Sequence, residues 1–539
     1  MKKLFTILIL SLILTACGNK AQDNKKEEDK NTAQVKDELV LGFGSEPEKG
    51  FDPITGWGHY GTSIFQSALL KRDLDLNIVN DLAKEYSLSE DKLTYNVTLR
   101  DDVKWSDGEK FTAKDVEFTY NLAKEKNAPG SNLSRLASAK ATGDYTIELK
   151  LDKPDISFVS SMCSLPIVPE HAYDEKTYGS NPIGTGPYKM VEWKVGQQLI
   201  IEPNENYYGE KSPFKKITFL FFKDTDASLA TAKEKVCDVI RVPYTAHDIN
   251  VEGYHIESLD TVDNRGISMP MEKNTGKVTG DETLAPGSPI GNNVTSDIAI
   301  RKALNIAIDR KKIIDEVLDG QGSVASSIAD GMPWFNEETR ITNDGDIEGA
   351  KKILAEGGWK LNDKGILEKD GVEAKFNLYL AYKDREDIAL QFAKTAKELG
   401  IEVNVEYGDW DAITPHMYSD AIFFGWGGYD PLEMYYNYSG TMVGREYYNA
   451  NYYDNKTVNE HFEKGLSATS AEGLNEEFKK AQFDGQTGLS SLGDCPWIWI
   501  LNENHLYLVR DDLDIGKQKI QPHGGGWPIV DTISNWKWK

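Results

Sequence analysis

Cysteine is nearly absent from this chain: four residues in 539, at positions 17, 163, 237 and 495, with no C-x-x-C spacing. That scarcity excludes a cysteine-based zinc site and leaves room for at most one disulfide among Cys163, Cys237 and Cys495. Positive charge is also in deficit, with 61 Lys and Arg against 86 Asp and Glu and a formal charge of −25. Nucleic acid and other polyanions are therefore excluded as partners, whereas an acidic surface suits an exported protein or a cationic ligand. The usual signatures of catalysis are missing as well. There is no G-x-S-x-G, no H-E-x-x-H, no P-loop and no dinucleotide-type glycine fingerprint. Carboxylates are plentiful but alternate with lysines, as in "KDREDIALQFAKTAKELG", the pattern of a solvated helix face. Neither an enzyme nor a bound cofactor is expected. Histidine is sparse too. None of the eight is paired with another at i, i+4, so an imidazole site has to be assembled from distant segments.

What is present is enough apolar sequence for several cores. At 40% hydrophobic and 10% aromatic over 539 residues, the chain exceeds the ~250–300 residues at which single cores stop growing, so two or more lobes are expected. The start, "MKKLFTILILSLILTAC", has two lysines and then an apolar run from Leu4 to Ala16 too short to span a bilayer. Its "LTAC" resembles a bacterial lipobox. The resemblance implies a signal peptide over 1–16, cleavage before Cys17 and lipidation of that cysteine. Residues 17–36 are polar, charged and without apolar periodicity, as expected of a flexible tether.

Beyond the tether, "DELVLGFG" alternates as a strand with Leu39, Leu41 and Phe43 on one face. "TSIFQSALLK" reads as an amphipathic helix capped by Thr62 or Ser63. "LTYNVTLR" is an alternating strand, Asp107-Gly108 a turn, and "TAKD" a helix start in which Asp115 reaches back to Thr112. "DYTIELKLDKP" is a further strand, and the Gly184-Thr185-Gly186-Pro187 turn precedes two more. Ile300, Leu304, Ala307 and Ile308 form a buried helical stripe, so Arg301 and Asp309 read as packing and pairing residues. His171, in "PIVPEHAY", reads as a structural histidine.

Five segments carry a resemblance: "LRDDVKWSDGEKFTAKDVEFTYN", "IGTGPYKMVEW", "NENYYGEKSPFKKITF", "SDIAIRKALNIAIDRKKIIDEVLDGQG" and "GAKKILAEGGW". In order and spacing the chain resembles the solute-binding proteins of the peptide/nickel ABC-importer family, the family 5 extracellular solute-binding proteins. The resemblance implies an α/β, two-lobe periplasmic-binding-protein-like fold (type II, cluster C) with an extra domain inserted in the first lobe. The implied segments are 37–86, 184–275 and 503–539 for the first lobe, 87–183 for the insert and 276–502 for the second lobe. It further implies a monomer that captures a small ligand between lobes and hands it to an ABC permease and ATPase. The expected location is the cell surface, anchored by lipid to the outer face of the cytoplasmic membrane, on the periplasmic side where an outer membrane exists.

The cargo is either nickel, as a complex with a small chelator, or an oligopeptide. Dipeptide binders of the family carry an aspartate shortly after a Gly-Trp pair. Here Gly425-Trp426 is present, but Tyr429 stands where that acid is expected and Asp430 precedes Pro431. The chain resembles the two-histidine nickel binders of the family, and imidazole is a borderline base suited to Ni(II). That resemblance points to His59, in the glycine-flanked "GWGHYG", and to His505, in "WIWILNENHLYLVR", as metal ligands. Trp57, Tyr60, Trp426 and Tyr429 are the expected walls. The family's other nickel mode, with an arginine just before the segment equivalent to "IVPEHAY" and a later loop histidine, has no counterpart here. Arg385 is a candidate clamp for a chelator carboxylate. The plainer alternatives are a backbone-bonded loop histidine for His59, a satisfied strand-end histidine for His505, and pairing with Asp384 or Asp387 for Arg385.

Overall fold

The strand expected after the polar segment 17–36, Glu38–Phe43, is the parallel centre of a seven-stranded sheet. A computed structural model describes residues 36–43, 46–59, 64–222 and 225–539. Residues 1–35, where the signal peptide, the lipidated Cys17 and most of the tether are expected, and Tyr60 lie outside the described residues. Leu39, Leu41 and Phe43 are buried on one side, as their alternation requires. Lys216–Phe221 and Val239–Val242 flank this strand in parallel. Tyr188–Lys194, Gln198–Pro203, Tyr254–Leu259 and His505–Arg510 complete the sheet in antiparallel pairings.

A six-stranded sheet runs in the order Gly322–Val324, Trp497–Glu503, Asn264–Ser268, Ala421–Trp426, Lys375–Leu380 and Glu402–Tyr407. A four-stranded antiparallel sheet, built from Ala83–Leu88, Thr94–Leu99, Leu136–Gly143 and Thr146–Leu151, packs under the helix Ala113–Lys126. That helix starts as expected: the Asp115 carboxylate accepts the Thr112 backbone N–H at 2.9 Å. Among the described residues no helix is long and apolar enough to cross a membrane.

Two short crossovers join the large sheets. The first lies between Leu259 and Asn264, the second at Asn504. They are tied to each other, Thr261 Oγ1 donating to the Glu503 carbonyl at 2.7 Å and the Glu503 N–H to the Asp263 carbonyl at 2.9 Å. The expected first crossing, after residue 275, differs from this, because Asn264–Ser268 already pairs in the second sheet. All five of its residues are buried, Asn264 and Arg265 included, so no polar-apolar alternation marks it.

The expected helix at "TSIFQSALLK" is not formed over its described part. Residues 64–69 are irregular and Leu70–Arg72 is a strand. The cause is a distant partner. The Gly186 N–H donates to the Phe65 carbonyl at 2.8 Å and the Tyr188 N–H to Ile64 at 3.1 Å. A Cβ on Gly184 would lie 1.8 Å from the Phe65 oxygen, so glycine is what allows the approach. With these backbone groups satisfied by the turn, the segment has no need of helical bonds. Arg301 and Asp309 are architectural, as expected: Arg301 donates to the Thr295 and Asp494 carbonyls, and Asp309 caps the helix Arg310–Val317. Cys163, Cys237 and Cys495 are free, buried thiols.

Candidate functional site

A cavity of about 840 Å³ lies between the four-stranded domain, the loop bearing His59 and the segment 426–448 of the second lobe. Trp426 lines it, stacked on Tyr448 with ring centroids 5.3 Å apart. Arg72 reaches across, donating to the Tyr429 carbonyl at 2.7 Å and to Ser160 Oγ at 3.2 Å. Arg135, just before the strand Leu136–Gly143, clamps both oxygens of Glu463 at 2.9 and 3.0 Å.

His59 sits on the cavity wall. Gly56, at φ 106°, turns the chain so that the Gly56 carbonyl accepts a hydrogen bond from His59 Nδ1 at 2.5 Å. Gly130 packs close beside the histidine, since a Cβ on Gly130 would lie 2.3 Å from the His59 Cβ. Burial pulls the His59 pKa below its ordinary value, and the charge of His523 lowers it further.

His523 comes from "QPHGGGW". Its N–H donates to the Gly427 carbonyl at 2.7 Å, and its Nδ1 donates to Asp263 Oδ1 at 2.8 Å. The other Asp263 oxygen accepts from His505 Nε2 at 3.1 Å, and Arg265 pairs with both oxygens. Burial opposes the charge on Asp263, but Arg265 and His523 hold its carboxyl well below the usual range. His59, on the cavity wall, and His523, which is not itself a lining residue, each have Nδ1 on an oxygen acceptor. Among the described residues no set of three or more His, Cys, Asp or Glu side chains is arranged to hold a metal ion. Further donors would have to come with the ligand.

The cavity wall also carries acids. Glu433 accepts from the Gly428 N–H at 2.7 Å and the Gly427 N–H at 3.3 Å, and Asp430 from the Leu432 N–H at 2.9 Å. Burial pushes both carboxyls up to about 7. Neither has an ion-pair partner among the described residues. Arg445 and Lys519 line the same space.

The profile of the bacterial extracellular solute-binding proteins, family 5 Middle, matches residues 77–444. Protein XP55 of Streptomyces lividans is 31% identical over 497 residues, 89% of this chain and 86% of the relative. The chain belongs to this family. Its members are extracytoplasmic substrate-binding proteins of ABC importers, not enzymes. The oligopeptide-binding protein AppA of Bacillus subtilis is 30% identical over 450 residues, 78% of this chain and 80% of AppA. Among solved structures, NikZ from Campylobacter jejuni, in complex with Ni(L-His), superposes with a TM-score of 0.77. It covers 93% of this chain and 99% of NikZ at 23% identity, which establishes the two-lobe α/β fold.

Within this family 5 protein the expected site residues separate into two groups. His59, Trp426 and Tyr429 line the cavity. Trp57, His505 and Arg385 do not: Trp57 packs edge-on against Phe51 and Trp527, and His505, 2% exposed, is held on Asp263. Arg385 pairs with Glu503 at 3.0 Å and lies over the Tyr382 ring, an arrangement of the crossover rather than of the cavity. His523 and Asp263 escaped sequence reasoning. The available signal was the three glycines after His523, all at positive φ, which parallel the glycine-flanked setting of His59. His171 pairs with Asp107 at 2.8 Å, in keeping with a structural role.

Proposed function

We propose that this binding protein carries nickel, as a complex with a small chelator, bound by His59 and His523. One observation carries the reading. His59 lines the cavity with Nδ1 on the Gly56 carbonyl, and His523, whose backbone N–H bonds Gly427 beside the lining residues Trp426 and Gly428, has Nδ1 on Asp263. Metal-binding histidines need such anchoring to fix tautomer and ring direction. The second ligand is assigned to His523 rather than His505, because His505 is buried with its Nε2 on Asp263. With two protein donors, the chelator supplies the remaining coordination, and Arg72 and Arg445 offer partners for its carboxylates. The reading includes a lipid anchor at Cys17, a monomeric state and delivery to a permease and ATPase. Native mass spectrometry of protein from metal-replete cells tests the cargo: a retained metal-chelate mass supports it, and a retained peptide ladder contradicts it.

Oligopeptide is the second reading. It is favoured by the unpaired acids Asp430 and Glu433, which suit an ammonium group, in a cavity of about 840 Å³. AppA, described as oligopeptide-binding, is the relative that supports it.

A further inference from the structure

The carbonyls that end the helix Lys456–Leu466 are met from the four-stranded domain. The Ile156 N–H donates to the Leu466 carbonyl at 2.9 Å and Lys92 Nζ to the Ser467 carbonyl at 3.0 Å, while Arg135 holds Glu463 in the last turn. Terminal carbonyls need outside partners, and the negative end of a helix favours cations. Apolar contact accompanies these bonds. Ile156 and Leu76 both pack on a cluster that includes Phe462, Leu466 and Phe478 and is drawn from residues 262–499. Neither residue belongs to that stretch. Leu76 sits in the turn between Leu70–Arg72 and Ile78–Asn80, and Ile156 in the loop before the helix Phe158–Ser164. Both are fixed from their own side: Tyr95 Oη donates to the Asp155 carbonyl at 2.9 Å, the Asp155 carboxylate accepts the Ser157 N–H at 3.0 Å, and the Leu76 carbonyl accepts from Arg72 at 3.1 Å. Leu76 also stands at φ 65°, the left-handed region that glycine or asparagine enters with less strain. A turn serving only its hairpin would place one of those there. Strain kept at a leucine whose side chain rests on another lobe points to a role in joining the two.

We propose that Leu76 and Ile156 are the pegs of a latch that holds the four-stranded domain and its flanking turn against the lobe of the six-stranded sheet in the ligand-free protein, so that cargo enters only when the latch releases. The proposal is independent of what the cargo is. The crossovers join the lobes at one place and the latch fastens them at another. Arg72 links the latch to the cavity, because the guanidinium that holds the Leu76 carbonyl also donates to the Tyr429 carbonyl and to Ser160 Oγ on the cavity wall. Removing most of the apolar contact of one partly buried peg shifts the closed-to-open ratio by about tenfold.

The test is residue-resolved hydrogen exchange of the protein stripped of cargo by dialysis out of denaturant, with small-angle scattering beside it. The Ile156 amide reports the latch directly, because its acceptor is the Leu466 carbonyl. It is expected to be protected in the parent and to exchange about tenfold faster in Ile156→Ala and in Leu76→Asn. Leu76→Asn removes a peg while leaving a residue that tolerates the left-handed turn. In the double variant the rate is expected to rise about a hundredfold and the radius of gyration to increase, while the strand Thr94–Leu99 keeps its parent protection. An Ile156 amide that exchanges unprotected in the parent overturns the proposal, as does a folded double variant with parent-like exchange and radius. Faster exchange that extends equally to Thr94–Leu99 also overturns it, since the two residues would then hold the fold of their own domain and not the joint.

Discussion

Two sets of buried carboxylates in this protein meet opposite fates. At the crossover, Asp263 is surrounded by Arg265, His505 and His523 and stays ionised. On the cavity wall, Asp430 and Glu433 are desolvated with backbone N–H groups and, for Asp430, the charge of Arg72 to oppose it, and burial raises both to about 7. The same functional group is a completed joint in one place and an unmet demand in the other. Structure spends its ion pairs where the lobes connect and withholds them where a ligand enters, because a charge already satisfied has nothing to offer a ligand.

The comparison breaks most visibly under truncation. Asp263→Ala leaves Arg265 buried without its partner and is expected to cost about 3–5 kcal/mol in chemical denaturation. Asp430→Ala removes an acid that burial already opposes, so a neutral or slightly stabilising change is expected in the same assay. A large loss in both would erase the distinction.

pH sharpens the contrast. The raised carboxyls favour their protonated form in the folded chain, so their contribution is fully present below about pH 4 and is lost as pH rises towards about 7. Relative to Asp430→Asn with Glu433→Gln, the ligand-free parent should therefore lose Tm between about pH 4 and pH 7. A parent-minus-variant difference that is flat across this window would contradict the uncompensated setting of the two acids. Asp330, raised to about 6 by burial, adds a decline of the same sign in both proteins and cancels in the difference.

A smaller effect is expected at a pair outside the cavity. Arg135 ties the four-stranded domain to Glu463, whose side chain is 48% exposed, and exposed pairs contribute up to about 1 kcal/mol. Arg135→Ala should therefore weaken ligand binding by about fivefold or less and enlarge the ligand-free radius of gyration measured by small-angle scattering. A loss of a hundredfold would mean that the latch, and not the cavity, dominates capture.

Local chemistry was legible and long-range chemistry was not. The Leu39-Leu41-Phe43 face and the Thr112-Asp115 cap need only neighbours in sequence, and both stand in the structure. The helix expected at Thr62 fails because Phe65 bonds to Gly186, 121 positions away. Asn264–Ser268 hid as a strand because both its faces are buried and its polar residues are paired. In the site, His59 was legible from its glycine-flanked loop, but His505 and His523 are isolated histidines that no spacing ties to it. Which of them stands near His59, and which lies under Asp263, depends on burial that no spacing encodes.

The central claim, that His59 and His523 hold a nickel complex, is tested most directly by calorimetric titration at pH 7 with Ni(II) premixed with L-histidine. The account predicts a clear isotherm for the parent, binding weakened at least about tenfold in His59→Ala and in His523→Ala, and near-parent affinity in His505→Gln. Parent-like nickel affinity in both His59→Ala and His523→Ala would contradict it.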